Sequence, residues 1–174
     1  MPGKIRRTVW IVGVLGALLG CLATLGVLWE VGLLRSHAPP DREAMVHEKG
    51  GMVMPFALDS TTHVFEMTDS GGVQDVVAKD PADSAQITLI RRHLMHEAEL
   101  FRNGDFSDPA SIHGKSMPGL QALSAGAKRI RIEYTALPNG GRITYSTSDP
   151  KLITAVHRWF GAQLSDHGTD ATYR

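Results

Sequence analysis

The chain has 174 residues, of which 43% are hydrophobic and only 6% are aromatic. Its 18 lysines and arginines balance its 18 aspartates and glutamates, so the net charge is zero when the histidines are neutral. A neutral chain with few aromatic side chains lacks the basic surface that nucleic-acid-binding proteins use, so the composition argues against nucleic acid as a partner.

Residues 8–29 form an uncharged, mostly apolar segment that follows three basic residues near the N-terminus. A helix of about 20 residues spans the roughly 30 Å hydrocarbon core of a bilayer, so this segment is long enough to cross it. The positive-inside rule predicts a cytoplasmic N-terminus and an exported C-terminal part. We therefore interpret residues 1–34 as a basic stub and an uncleaved signal anchor, which contacts the lipid bilayer of the bacterial inner membrane through residues 8–29.

A cleaved signal peptide and a lipoprotein signal are the two alternatives for this segment. The apolar region of a cleaved signal peptide is only about 7–15 residues long, which is shorter than the one found here. The lipoprotein alternative rests on Cys21, the only cysteine of the chain. Because the exported part has no cysteine, it has neither a disulfide framework nor a thiolate metal ligand.

The exported part divides into a linker, a domain and a short tail. Residues 35–53 contain paired prolines, mixed charges and a double glycine without apolar periodicity, which is typical of a flexible linker. We assign residues 54–168 to a periplasmic α+β domain, which is large enough for its own hydrophobic core. Residues 169–174 are expected to be a frayed tail.

Two hairpins, each followed by a helix, are predicted within the domain. The segments whose alternating pattern predicts strands are 61–68, 73–78, 129–137 and 142–147. Asp80-Pro81 and Asp149-Pro150 each place a capping residue before a proline, so the two long helices are predicted to begin there. A third pair, Asp108-Pro109, predicts a short helix that is capped by Asp108 and ends near His113.

The two halves of the domain resemble each other in sequence. Gly71-Gly72 matches Gly140-Gly141, and in both halves the Asp-Pro pair begins eight residues after the second glycine. The repeat predicts a ββα–ββα fold in which a four-stranded antiparallel sheet carries both helices on one face. His93 in the first helix aligns with Trp159 in the second, so we expect function to reside in the parts that the repeat does not share.

Histidines and a methionine around the first helix are the strongest functional signal. His93 and His96 lie on one face of that helix, and His113 and Met117 follow in the insertion between the two halves. Imidazole nitrogen binds copper and zinc, and thioether sulfur favours copper(I), so this set predicts a transition-metal site, with copper before zinc. Two further candidate ligands lie on the first strand: His63 and Met67.

Three other functions stay open from the residues alone. Histidine or His/Met ligation is also found in b-type haem proteins, and the chain has no CxxCH motif for covalent haem attachment. Glu97, Asp105 and the nearby histidines supply acids and bases for a small hydrolase, although no GxSxG motif is present. A non-enzymatic docking module of an envelope complex is the main alternative to metal binding. The balance of these observations favours a protein that is not an enzyme.

Several blocks of the chain resemble a family of small exported bacterial proteins of unassigned activity. The blocks are MPFALDSTTH at 54–63, VVAKDPAD at 76–83, HLMHEAELFRNGDFSDPASIHG at 93–114 and HRWFGAQLSDHG at 157–168. Members of this family carry a signal sequence and a His-rich start, and they are often labelled aspartate carbamoyltransferase. The chain lacks the Ser-Thr-Arg-Thr-type phosphate loop of a carbamoyltransferase catalytic chain, which is also much larger. The resemblance therefore implies an exported domain without implying a reaction.

Overall fold

The computed structural model describes residues 42–174, which fall within one compact unit beginning at Asp41. The described part of the chain contains no helix that is long and apolar enough to span a bilayer. The predicted membrane segment at residues 8–29 lies outside the described residues, as does the first part of the predicted linker.

Five helices and five strands make up the described part. The helices are α1 Arg42–Val53, α2 Ser84–Arg102, α3 Ser107–His113, α4 Leu120–Gly126 and α5 Pro150–His167. The strands are β1 Thr61–Thr68, β2 Gly71–Ala78, β3 Arg131–Leu137, β4 Gly140–Ser146 and β5 Ala171–Tyr173. The predicted α+β class is confirmed.

The sheet has the strand order β3-β4-β2-β1-β5, and its first four strands are antiparallel neighbours. The fifth strand lies parallel to β1 and pairs Ala171 with His63. The prediction of a four-stranded antiparallel sheet is therefore wrong, because the sheet is mixed and five-stranded. Residues 171–173, expected to be frayed, form β5 because a single 3-10 turn after α5 carries the chain back along β1.

The pairing at the centre of the sheet has the register that the predicted ββα–ββα repeat requires. Strand β2 pairs with β4 so that Gly71 lies opposite Ser146 and Val77 lies opposite Gly140. Exchanging the two halves converts the first of these pairs into the second, as an approximate twofold axis between β2 and β4 requires. The four antiparallel strands are thus the repeated part, and β5 and α1 are additions to it.

Both long helices pack on the same face of the sheet. A Cβ atom added to Gly72 would meet the Phe160 ring of α5, and one added to Gly141 would meet Leu94 of α2. Side chains from this face and from the two helices form the core, among them Phe65, Val76, Ile143, Tyr145, Ile90, Trp159 and Phe160. On the opposite face, Asp75 is buried by two arginines, and its carboxylate accepts hydrogen bonds from Arg142 at 2.6 and 2.7 Å and from Arg174 at 2.9 Å.

The Asp-Pro pairs start helices in different ways. At α5 the prediction is confirmed, because Asp149 accepts a hydrogen bond from the Lys151 backbone N–H and Pro150 occupies the first turn. At α2 the cap is Asp83 instead of Asp80, whose carboxylate accepts from the Ala82 N–H in the preceding turn. At α3 the helix begins before the pair, at Ser107, so the expectation that Asp108 caps it is wrong.

Residues 42–53 form α1, although the sequence analysis assigns them to the flexible linker 35–53. The helix packs against α3 and α5, and its Val46 side chain is buried. Gly50 lies against Leu58, with only 3.0 Å between the position of an added Cβ and a Leu58 methyl group. Only Val46 and Gly50 are buried in this helix, which explains why its sequence shows no apolar periodicity.

Candidate functional site

A small pocket lies between the sheet and helices α2, α3 and α5, with a cavity volume of about 30 Å³. A cavity of this size has room for an ion or for about one or two water molecules. Four histidines and two carboxyl side chains line it: His63, His93, His113, His167, Glu97 and Asp108. Apolar side chains form most of the remaining wall, and they include Met54, Phe56, Leu94, Ile112 and Trp159.

The four imidazoles come from four different elements. His63 lies on the inward face of β1, His93 lies in α2, and His113 and His167 are the last residues of α3 and α5. The His63 and His167 rings stack with centroids 4.9 Å apart, and the His113 ring meets that of His167 edge-on at 5.0 Å. Phe56 joins His93 to this cluster, with its ring centroid 5.7 Å from His93 and 6.4 Å from His63.

His113 is held by a second layer of charged side chains. Its Nδ1 lies 2.9 Å from Asp166 Oδ2, and the two side chains are almost fully buried. Arg42 of α1 donates two hydrogen bonds to the same carboxylate, one of them to Oδ2 at 2.6 Å, and a third to the His113 carbonyl oxygen at 3.0 Å. A carboxylate beside Nδ1 favours the tautomer that carries the proton there, which leaves Nε2 as the lone-pair nitrogen.

Burial keeps the pocket histidines neutral. Loss of water contact, together with the neighbouring imidazoles, lowers the pKa of His63 to about 3. Burial and the nearby His113 lower the pKa of His167 to about 4. The pKa of His93 and that of His113 are also lowered by burial, in spite of the opposing effect of Asp108 on the first and Asp166 on the second. At neutral pH all four rings are therefore in the form that binds metal ions.

Glu97 is a buried acid of the same pocket that is also kept in its neutral form. Its side chain is buried beside Asp108, and burial together with the Asp108 carboxylate raises the pKa of Glu97 to about 8. Asp105, which accepts a hydrogen bond from the Ser107 N–H at the start of α3, adds to the negative surroundings. The group is therefore a neutral carboxylic acid at pH 7, and it shares its proton with the Asp108 carboxylate, while its Oε1 has no protein partner.

Three buried side-chain polar atoms in the described part of the chain have no hydrogen-bond partner within the protein: His63 Nδ1, Glu97 Oε1 and Trp159 Nε1. All three residues line this one pocket. Buried polar groups are paired in more than about nine cases out of ten, so three orphans around one cavity call for a polar occupant.

The structure brings together only part of the predicted ligand set. His93, His113 and the additional candidate His63 line the pocket. His96 is exposed on the surface of α2 and does not line it. Met117 is buried in the core, and Met67 is half-buried against it, so neither methionine reaches the cavity.

The sequence analysis missed His167 as a site residue and gave Glu97 only a catalytic alternative. Glu97 follows His93 by four positions, and such pairs share a helix face more closely than the pair His93 and His96 does. His167 stands beside the segment that was expected to fray, and it reaches the pocket as the last residue of α5, where its ring stacks on that of His63. Met54, a thioether in the pocket wall, also follows directly after the predicted linker.

A second cluster lies on the surface, where His47, Asp59 and Asp170 have ligand atoms that all lie within 4.8 Å of one another. Within residues 42–174 no other three histidine or carboxylate groups meet so closely. His47 already pairs with both acids, with Nδ1 3.2 Å from Asp170 and Nε2 3.7 Å from Asp59. The pocket imidazoles do not meet this distance, so metal binding there requires their rings to rotate.

Comparison with known proteins gives no further guide, because no protein-family model, curated protein or solved structure matches the chain. The functional conclusion therefore rests on the pocket itself.

Proposed function

We propose that this chain binds a single transition-metal ion in the histidine pocket, with copper before zinc. The observation that carries the proposal is the gathering of four neutral imidazoles, one of them with an unpaired buried nitrogen, around one cavity of about 30 Å³. The ligands are drawn from His63, His113 and His167, which form the ring cluster, with His93 completing the coordination. Glu97 would join them only on losing its proton to become a carboxylate. A metal ion satisfies the His63 nitrogen, which has no protein partner.

The chemistry of the lining supports copper over zinc. Met54 adds a thioether to the imidazoles, and thioethers favour copper(I). His113 is supported by Asp166 through its second ring nitrogen, which is the arrangement found behind most metal-binding histidines. The lining contains no serine, threonine, cysteine or lysine nucleophile, so the pocket is better suited to binding than to covalent catalysis.

The size of the cavity bears on the alternative of b-type haem. Pockets that hold organic cofactors have volumes of about 300–1,000 Å³, an order of magnitude above that of this cavity. The residues present therefore fit an ion and do not fit a haem.

The cellular setting of this function is proposed from the sequence alone. An inner-membrane anchor at residues 8–29 would hold the histidine pocket in the periplasm, where metal ions are exchanged outside the reducing cytoplasm. Alkaline phosphatase fused to the C-terminus is expected to be active. If that fusion is inactive and a reporter that works only in the cytoplasm is active at the same position, the periplasmic placement is contradicted.

The test is a titration of the full-length protein in detergent with copper(I) and with zinc, against a competing chelator. The variants are His63→Gln and His167→Gln, which remove pocket imidazoles, and His96→Gln, which removes an exposed imidazole from the same predicted set. We expect one ion per chain in the wild type and in His96→Gln, and an affinity at least about tenfold lower in the two pocket variants.

Loss of affinity in His96→Gln, with wild-type affinity in the two pocket variants, would show that the ion binds on the surface of α2 and would contradict the pocket as its site. Absence of stoichiometric binding of either metal by the wild type would contradict the proposed function itself. Unfolding temperatures of the metal-free variants separate loss of a ligand from loss of the fold.

A further inference from the structure

Besides its buried Val46 and Gly50, helix α1 is attached to the end of α5 through polar contacts of its first two turns. Arg42 pairs with Asp166, and the Glu43 carboxylate accepts a hydrogen bond from the Thr169 N–H at 3.3 Å. One turn further on, His47 pairs with Asp170. All of these partners lie within or just after the last turn of α5, next to His167.

The chain continues from α1 directly into the pocket wall. Met54 follows the helix, and its N–H donates to the Gly50 carbonyl oxygen at 2.8 Å. Phe56, two residues later, is buried and contacts the rings of His63 and His93. Any movement of α1 away from α5 therefore acts on the pocket at two places, through Arg42 at the start of the helix and through Phe56 after its end.

Arg42 is the point of closest coupling between α1 and a pocket histidine. Its guanidinium forms a bidentate pair with the Asp166 carboxylate and also donates a hydrogen bond to the His113 carbonyl oxygen. It therefore fixes the position of the carboxylate that orients the His113 ring. The Arg42 side chain is 50% exposed, whereas those of Asp166 and His113 are 7% and 1% exposed. The buried His113 is thus held, through Asp166, by an arginine that is accessible to solvent.

We infer that Arg42 and Asp166 are positioning residues for His113, so that the docking of α1 sets the metal affinity of the pocket. The inference rests on the proposed function and adds a means of loading and release to it. With α1 docked, Asp166 holds the His113 ring through Nδ1, so His113 keeps its orientation while the other pocket rings rotate to bind the ion. When α1 is displaced, Asp166 loses its cationic partner and its hold on the His113 ring weakens.

The test uses Arg42→Gln, Arg42→Lys and the control Arg129→Gln in the full-length protein. Arg129 pairs with Asp149, and its side chain is 64% exposed, so the control also breaks an arginine–aspartate pair of α5, but at the opposite end of that helix. We expect Arg42→Gln to weaken copper(I) affinity by about 10–100-fold, as is usual when the support of a metal-binding histidine is lost. Arg42→Lys keeps the positive charge but cannot bind both carboxylate oxygens of Asp166 in the same way, so its copper(I) affinity should lie between those of the wild type and Arg42→Gln. The copper(I) affinity of Arg129→Gln should equal that of the wild type.

Two further readouts separate positioning from a general loss of stability. The visible spectrum of the cobalt(II)-loaded protein should change in Arg42→Gln and be partly restored in Arg42→Lys. By linkage, metal should also slow amide hydrogen exchange in α1 of the wild type, and it should do so less in Arg42→Gln.

Wild-type affinity and spectrum in Arg42→Gln would overturn the inference while leaving the proposed function intact. If Arg42→Gln does not fold, Arg42→Lys decides, and wild-type behaviour in that variant overturns the inference in the same way. A wild-type protein that binds no metal instead fails the proposed function, so the two failures are distinguishable.

Discussion

Glu97 shows how a single residue of the pocket reports on its surroundings. A carboxyl group whose pKa rises from 4.5 to about 8 on folding is ionised in the unfolded chain between those values while it stays protonated in the folded one. The unfolded state therefore loses a proton first, and the contribution of Glu97 to stability is present below pH 4.5 and is lost as the pH rises through 8.

Replacing Glu97 with glutamine removes this titration while keeping a neutral polar side chain of similar shape. We expect the unfolding temperature of Glu97→Gln, relative to the wild type, to rise by several degrees between pH 5 and pH 8. Differential scanning calorimetry at intermediate pH values measures this difference. A constant difference over this range would mean that the buried carboxyl is not protonated at neutral pH.

The histidines show what could be predicted residue by residue. His63, His93 and His113 were selected from the sequence and do share one pocket. His96 was selected with His93 because the two are three positions apart, but the helix turns His96 toward solvent. Counted at about 100° per residue, His93 lies beside the apolar stripe of α2, whereas His96 lies almost opposite it. The spacing therefore already indicates that His96 is exposed, and the position of α3 and Phe56 adds the cover over His93.

Elements with a strong apolar pattern were predicted well, and those without one were not. The four repeated strands and the two long helices follow from alternation, periodicity and turn residues. Helix α1 has only two buried residues, and β5 has three residues in all, so neither carries a pattern that can be recognised. Helix α1 is stabilised by contacts with α3 and α5, and β5 is stabilised by pairing with β1, and in both cases these partners are distant in sequence.

The status of α1 as a docked helix leads to a prediction at Gly51. This residue is exposed and would meet nothing within 4 Å if it carried a Cβ. Gly51→Ala should therefore stabilise the protein by about 0.5–1 kcal/mol, because alanine favours the helix and restricts the unfolded chain. Urea unfolding measures the change, and no change would mean that residues 42–53 are a linker after all.

Gly119 provides the opposite case, at the junction of α4 and α5. Its backbone has φ +84°, and an added Cβ would lie 2.2 Å from the Ala155 carbonyl oxygen. Gly119→Ala should destabilise the protein by more than about 2 kcal/mol, because backbone strain and a clash with a helix backbone act together. Denaturation midpoints test this value, and a loss below about 0.5 kcal/mol would contradict the close packing of α4 on α5.

At the scale of the whole molecule, the neutral histidine cluster predicts sensitivity to mild acid. His63 and His167 have an ordinary pKa of 6.5, which folding lowers to about 3 and about 4. Below pH 6.5 the unfolded chain takes up protons that the folded protein does not, so their contribution to stability is present above 6.5 and is lost as the pH falls toward 4. The contribution of Glu97 to stability increases as the pH falls and so opposes this loss, but Glu97 is a single group and the two histidines together outweigh it.

The urea midpoint should therefore fall between pH 6.5 and pH 4.5, and it should fall less steeply in His167→Gln, which has one buried imidazole fewer. Parallel curves for the wild type and the variant would contradict the burial of His167 as a neutral base. The apparent two-state behaviour of each sample is checked by the agreement of fluorescence and circular dichroism.

The asymmetry of the molecule explains where the site lies. Two hairpins, each followed by a long helix, build the centre of the fold, and the pocket lies where α3 and the segment after α1 meet β1, α2 and the end of α5. Sequence comparison of the two halves could locate this region, but it could not show that His63, His113 and His167 converge. Their convergence depends on the packing of α3 and of the end of α5 against β1, which no sequence pattern specifies.

The most direct test of metal binding in the pocket is anomalous diffraction at the copper edge from crystals of the copper-loaded protein. The account predicts one strong peak among the rings of His63, His113 and His167, with at least two imidazole nitrogens at about 2 Å from it. A peak among His47, Asp59 and Asp170, a peak at His96, or no ordered copper at all would contradict it.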